Sequence, residues 1–253
     1  MNVKLIDSHC HIDYKKFGNQ SENVIIRARN KNIIAIITST IDQNISKVEK
    51  FKNKYKNFLF HSLGLHPPGY TPSSVKTIKG LIEKKIDTIV SIGEVGLDYY
   101  WVKDESTRRY QKVVFKEFIE LAKSFDKPIV VHSRDSEKDA IQILEDNRAE
   151  QVLMHCFSGS ISDLRRIIDN GWIISIPTSV VKRKYHQDIA IKCPLENMVL
   201  ETDAPFLSPD RGLNEPYKVI YGAKKIAELK DTSLEEIAKN TTKNAIKFYS
   251  LPI

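Results

Sequence analysis

Asp7-Ser8-His9-Cys10-His11 follows directly on the apolar run 3–6, and its two histidines stand one residue apart. Extended backbone alternates its side chains with period two, so His9 and His11 project from the same side. Imidazole is the commonest protein ligand for metals near neutral pH, and a same-side pair supplies two donors without bending the chain. The plainer alternative is that both are ordinary turn residues. Recurrence favours the metal. Residues of ligand type stand just past later apolar runs: His66 in Gly-Leu-His-Pro (64–67), Glu94 in Gly-Glu-Val-Gly-Leu-Asp (93–98), His132 in His-Ser-Arg-Asp (132–135), His155 in His-Cys-Phe-Ser-Gly (155–159) and Asp203 in Glu-Thr-Asp-Ala-Pro (201–205).

His9, His11, His132, His155, Glu94 and Asp203 make six donors, too many for one tetrahedral ion with an open place. Two divalent ions about 3.5–4 Å apart need a shared anionic bridge and can activate water between them. Glu94, the acidic residue directly ending the fourth strand, is the natural bridge, against the alternative of a salt-bridged surface residue. Asp203 is expected as ligand, general base or both, or else as a helix cap. His66 could contact a substrate phosphate rather than a metal, with a structural turn before Pro67 as the competing reading. Arg134 could bind phosphate or close a rim salt bridge. Tyr99, Tyr100 and Trp101 could stack unpaired bases or form an apolar lid. Lys182, Arg183 and Lys184 read as a solvated charge run that could also track a nucleic-acid backbone. His61 and His186 receive no role. Cys10, Cys156 and Cys193 read as small packing residues.

Residues so far apart in the chain meet only if a fold gathers the ends of many strands. β-branched apolar runs at 3–6, 33–38, 58–63, 88–92, 128–131, 151–154, 172–175 and 198–200 alternate with amphipathic segments. The expected helices cover 21–30, 44–55, 73–85, 105–125, 136–147, 161–170, 186–192 and 234–249. Thr232 and Glu235 are spaced as a capping box for the last, whose residues Ile237, Ala238, Thr241, Ala245 and Phe248 share one face. Eight strands, each leading into a helix, predict an α/β fold of the (β/α)8 TIM-barrel type, with a doubly wound open sheet as competitor. A barrel puts all six motifs at one rim, together with five of the seven histidines.

A length of 253 residues suits such a barrel, and no linker or composition shift divides it, so one domain over 1–253 is expected. With 41% hydrophobic and 28% charged residues the chain has the material for a core and is not of the disordered class. No apolar run is long enough to span a membrane, and no secretory signal is read at the start. Three scattered cysteines argue against a disulfide framework, and a cytoplasmic location is expected. A net charge of +7 favours polyanionic partners, although simple solubility explains basicity equally well.

The six motifs, in this order and covering 6 to about 248, resemble the TatD family of metal-dependent deoxyribonucleases within the amidohydrolase-like barrels. The resemblance implies a (β/α)8 fold, a pair of divalent ions, and hydrolysis of DNA phosphodiesters, often exonucleolytic from 3′ ends. It implies His9, His11, Glu94, His132, His155 and Asp203 as metal ligands, Asp203 and Glu94 as catalytic groups, and His66 near the phosphate. The family pattern Arg-Asn-Glu-Pro meets Leu213-Asn214-Glu215-Pro216 here, so the arginine is missing and Arg211 stands two positions earlier. Asn214 and Glu215 match and are expected on the substrate side of the site, orienting the groups around it. Single-stranded DNA or 3′ ends are the expected partner, and a monomer the expected state. Four imidazoles suit Zn²⁺, Mn²⁺ or Fe²⁺ better than Mg²⁺, which the resemblance nevertheless admits. An amide or ester hydrolase on the same barrel, including a D-aminoacyl-tRNA deacylase, is the alternative. Glu94, standing where many barrels of the superfamily place a carboxylated lysine, favours the nuclease. A binding protein without turnover is the non-enzymatic reading.

Overall fold

Eight short strands carry the inward-facing residues, and parallel pairing of each with the next in chain order sets their neighbours. The computed structural model describes residues 3–40 and 45–253. The strands are β1 Leu5–Cys10, β2 Ile33–Ser39, β3 Leu59–Leu63, β4 Ser91–Asp98, β5 Ile129–Arg134, β6 Val152–Met154, β7 Ile173–Pro177 and β8 Met198–Glu201. Past the end of β8 the sheet closes on β1: Asp203 N–H donates to the His9 carbonyl at 3.0 Å and His11 N–H to the Ala204 carbonyl at 2.7 Å. The fold is a (β/α)8 barrel, not an open doubly wound sheet.

Helices α1 Ser21–Asn30, α2 Ser46–Lys54, α3 Pro72–Lys85, α4 Glu105–Ser124, α5 Glu137–Asp146, α6 Ile161–Asp169 and α7 Lys184–Lys192 connect the strands, and α8 Val219–Leu229 and α9 Leu234–Tyr249 follow β8. The expected helix 44–55 begins at Asn44, which lies outside the described residues. Helix α4 shows why these segments fold as they do. Asp104 caps it by accepting from Thr107 N, and Val114, Phe115, Phe118, Ile119 and Ala122 bury one stripe against the sheet. Truncating such a buried Phe costs roughly 3–5 kcal/mol.

Alternation along the strands separates two apolar layers. Leu5, Ile36, Leu59 and Val131 join the large layer between sheet and helices. Ile6, Ala35, Ile37, Phe60, Val130, Leu153 and Val199 form a second cluster with Tyr249 and Leu251 from the end of the chain. This inner cluster fills the N-terminal part of the barrel. By the same alternation His132, His155 and Glu201 continue the inner faces of β5, β6 and β8 towards the other end.

Beyond a register shift at Leu5–Ile6, two bulges adjust that alternation. On β1 the three steps from Asp7 to Cys10 oppose two on β2, from Ile36 to Thr38. On β4 the step from Gly93 to Val95 opposes a single step from Val130 to Val131, leaving Glu94 as the extra residue. A bulge re-aims the side chains that follow it. Both occur on strands that carry candidate ligands.

Several boundaries differ from the sequence reading. β1, β4 and β5 run on past 6, 92 and 131, so His9, Glu94 and His132 lie within strands rather than after them. Two helices, not one, follow β8: α8 buries Val219, Gly222, Ala223, Ile226 and Ala227 at helical spacing ahead of α9. Ser233, not Thr232, caps α9, accepting from Glu236 N.

Candidate metal centre

Glu94 is buried at the C-terminal mouth of the barrel, and its two oxygens face opposite groups. Oε2 lies 2.8 Å from His155 Nε2, 3.4 Å from His132 Nδ1 and 3.9 Å from His9 Nε2, while Oε1 lies 3.7 Å from His11 Nε2. Asp203 Oδ1 approaches His11 Nε2 at 3.3 Å and His9 Nε2 at 4.0 Å. The barrel thus brings together all six expected donors. They fall into the groups His9–Glu94–His155 and His9–His11–Asp203, and His66 joins a third with Glu94 and His132.

Donors about 2.0–2.2 Å from a common ion stand roughly 3–4 Å from one another, the separations found here. A second observation supports the fit. His9 is fully buried, yet neither of its ring nitrogens has a hydrogen-bond partner. An orphaned polar atom in an apolar interior costs free energy that a bound cation at Nε2 would recover.

Supporting groups fix the other rings. His11 Nδ1 meets the Ser39 carbonyl at 2.8 Å, His132 Nε2 meets Asp98 Oδ2 at 2.9 Å, and His155 Nδ1 lies 3.5 Å from Glu201 Oε2. Glu201 accepts from Ser175 Oγ at 2.5 Å. Ser39 Oγ accepts from Glu94 N at 2.9 Å, and it and Ser62 both donate to the Gly93 carbonyl. Asp7 anchors the far side, accepting from Thr202 N at 2.8 Å and Thr202 Oγ1 at 2.6 Å. Asp203, with its backbone in the left-handed region at φ 55, then turns towards His9 and His11. A hydroxyl layer therefore lies between the apolar interior and the imidazoles. The groups that hold the rings in place, namely Asp98, Glu201, Ser39 and Ser175, received no role from the sequence. Asp98 and Glu201 were visible within motifs; Ser39 and Ser175 show only as polar residues at inward positions.

The electrostatics favour positive charge at this spot. Burial works to raise the Glu94 carboxyl, but the surrounding imidazoles outweigh it and hold it well below the usual carboxylate range. Burial works to lower His11, yet its hydrogen bond to Asp203 and the charge of Glu94 raise it to about 9. His155 is raised for the same kind of reason, by Glu94 and Glu201 against burial. His9 is held well below its ordinary value by burial and by His155. Protons on His11 and His155 thus supply cationic charge that a divalent ion would supply instead.

The expected substrate-side residues separate. His66 is packed edge-on against His132, ring centroids 4.5 Å apart, and burial lowers it to about 4, so it is neutral at physiological pH. Arg134 makes no salt bridge among the described residues; its guanidinium lies over the Tyr100 ring, 3.7 Å from the centroid. Asn214 is fully buried and donates to Thr178 Oγ1 and the Thr202 carbonyl, both at 2.7 Å, bracing the backbone next to Asp203. Glu215 takes a bidentate bond from Arg27 of α1, at 2.7 and 3.0 Å. Arg27 is thus the arginine paired with Glu215. Tyr99 parts from its aromatic neighbours and donates to Asp139 at 2.7 Å. His61 and His186 are buried elsewhere, near Glu49 and against Ser179 respectively. All three cysteines are free.

The family model described as TatD related DNase matches residues 6–250. Deoxyribonuclease TATDN3 of Homo sapiens is 32% identical over 261 residues, 98% of this chain and 95% of the human protein. The uncharacterized metal-dependent hydrolase YabD of Bacillus subtilis is 34% identical over 98% of this chain and 99% of its own. Among solved structures, YJJV, a TatD homolog from Escherichia coli, superimposes with a TM-score of 0.90 at 26% identity, covering 100% of both chains.

Proposed function

The chain belongs to the TatD family of metal-dependent hydrolases, and from that membership we propose that it hydrolyses DNA phosphodiester bonds, as a 3′–5′ exonuclease holding two divalent ions. The observation that carries this reading is the Glu94 carboxylate, one oxygen turned to His155 and His132 and the other to His11. His9, His11 and Asp203 would hold one ion, His132 and His155 the other, with Glu94 shared. Such ions, when bound, polarise a phosphoryl oxygen and lower the pKa of water near neutrality.

The residues divide the remaining work. Glu94, enclosed by imidazoles with only 3% of its side chain exposed, stays anionic and would be shared between the ions. The Asp203 side chain is 15% exposed, so a water molecule can reach its carboxylate, which orients that water and takes its proton at an Oδ atom. His66, neutral and at the rim, offers a single N–H to a phosphate oxygen rather than a full charge. The net charge of +7 attracts the strand without reading its sequence.

The test is cleavage of a 5′-labelled single-stranded oligonucleotide. Shortening from the 3′ end that stops on addition of a chelator is expected, and Asp203→Asn should lower kcat by about 10²–10⁴-fold, the usual worth of a positioned base. Cleavage insensitive to chelator, or an Asp203→Asn enzyme of undiminished rate, contradicts the reading.

A further inference from the structure

Trp101 is 65% exposed and Tyr100 42%, an unusual degree for large aromatic side chains standing side by side. Their rings meet edge to face with centroids 4.9 Å apart. The Arg134 guanidinium lies over both, 3.7 Å from the Tyr100 centroid and 5.7 Å from that of Trp101. Lys103 adds a second cation 5.5 Å from the Tyr100 centroid. No carboxylate neutralises Arg134 among the described residues, so its charge and N–H donors remain free for an anion.

This exposed group is tied to the candidate metal centre through one side chain. Asp98 Oδ1 accepts from Trp101 N at 2.7 Å, and Asp98 Oδ2 meets His132 Nε2 at 2.9 Å. The turn carrying Trp101 is therefore fixed relative to the ring that faces Glu94. A flat apolar face beside an unneutralised guanidinium matches the two faces of a nucleotide, base and phosphate. A base paired within a duplex hides its face in the stack, whereas an unpaired one can lie on an aromatic ring.

We propose that Trp101, Tyr100 and Arg134 form a stacking subsite for an unpaired nucleotide of the DNA strand. This rests on the phosphodiesterase reading above. Trp101 supplies the ring face, Arg134 contacts the adjoining phosphate, and Asp98 keeps the subsite in register with His132.

Two measurements test it. Tryptophan emission is followed while wild-type protein is titrated with a decathymidylate whose phosphorothioate linkages resist cleavage. The only other tryptophan, Trp172, is buried, so a change in emission reports Trp101. KM and kcat are then measured on ordinary decathymidylate for wild type, Trp101→Ala, Trp101→Phe and Tyr221→Ala, the last an exposed aromatic of α8 that serves as control. Quenching is expected, with KM raised roughly 5–150-fold in Trp101→Ala, the equivalent of about 1–3 kcal/mol per stacked base. Trp101→Phe should recover most of this and Tyr221→Ala should leave KM unchanged. A Trp101→Ala enzyme whose KM stays within about twofold of wild type overturns the subsite, since stacking of the expected strength exceeds that. Cleavage without quenching overturns the subsite and leaves the phosphodiesterase reading standing; quenching without cleavage does the reverse. Neither quenching nor cleavage overturns both.

Discussion

Asp98 shows how one carboxylate can serve two neighbours, since each oxygen has its own partner and neither is shared. Burial works to raise its pKa, but its bonds to His132 and to Trp101 N keep it low, and it remains an acceptor. Its backbone N–H is in turn held by the buried Gln111 at 3.1 Å. Removing such an orienting group from a ligating imidazole typically costs about 10–100-fold in metal affinity. Asp98→Asn should therefore weaken Zn²⁺ binding by about that factor in competition with a chromophoric chelator; unchanged affinity would show that His132 needs no anchor there. The sequence displayed the six donors because imidazole and carboxylate at strand ends carry their chemistry openly. It was silent on Asp98, Ser39 and Glu201, whose roles depend on which atom of which neighbour they face.

At the scale of elements, the two bulges decide where ligands point. Without the extra residue on β1, strict alternation from Ile6 would turn His9 towards the helices instead of the mouth. On β4, glycines make the irregular backbone possible. Gly96 has φ 140, and a Cβ there would lie 2.1 Å from the His132 carbonyl oxygen. Gly96→Ala should thus lower the urea midpoint by the equivalent of about 3 kcal/mol, through backbone strain and overpacking together. A midpoint equal to that of wild type would mean that β4 and β5 can separate at no cost. Periodicity in the sequence located all eight strands but stopped β4 at 92, because Gly93 and Gly96 look like loop residues until a partner strand is seen to need their lack of a side chain. Bulges leave no periodic signal, so the mechanism that aims His9 and Glu94 was out of reach of pattern reading.

For the molecule as a whole, alternating strands and helices pointed to the barrel but left a doubly wound open sheet as competitor, since the connection rules leave few ways to arrange eight βα units. The sequence reading missed α8, whose buried stripe is made largely of small residues, Gly222, Ala223 and Ala227, and closure of the barrel rests on backbone contacts between β1 and the end of β8 that no local pattern announces. None of the helices among the described residues is long and apolar enough to cross a membrane. The barrel places an apolar plug at one end, a hydroxyl layer above it and the imidazole–carboxylate cluster at the mouth, and that mouth is where a strand of DNA would meet the ions. The most direct test is the metal content of the folded chain after loading with Zn²⁺ and gel filtration, read by mass spectrometry for wild type and Glu94→Gln. About two ions per wild-type chain and one or fewer in Glu94→Gln are expected, because Glu94 turns one oxygen to His155 and His132 and the other to His11. A wild type that retains no metal, or a Glu94→Gln chain that still carries two ions, would contradict it.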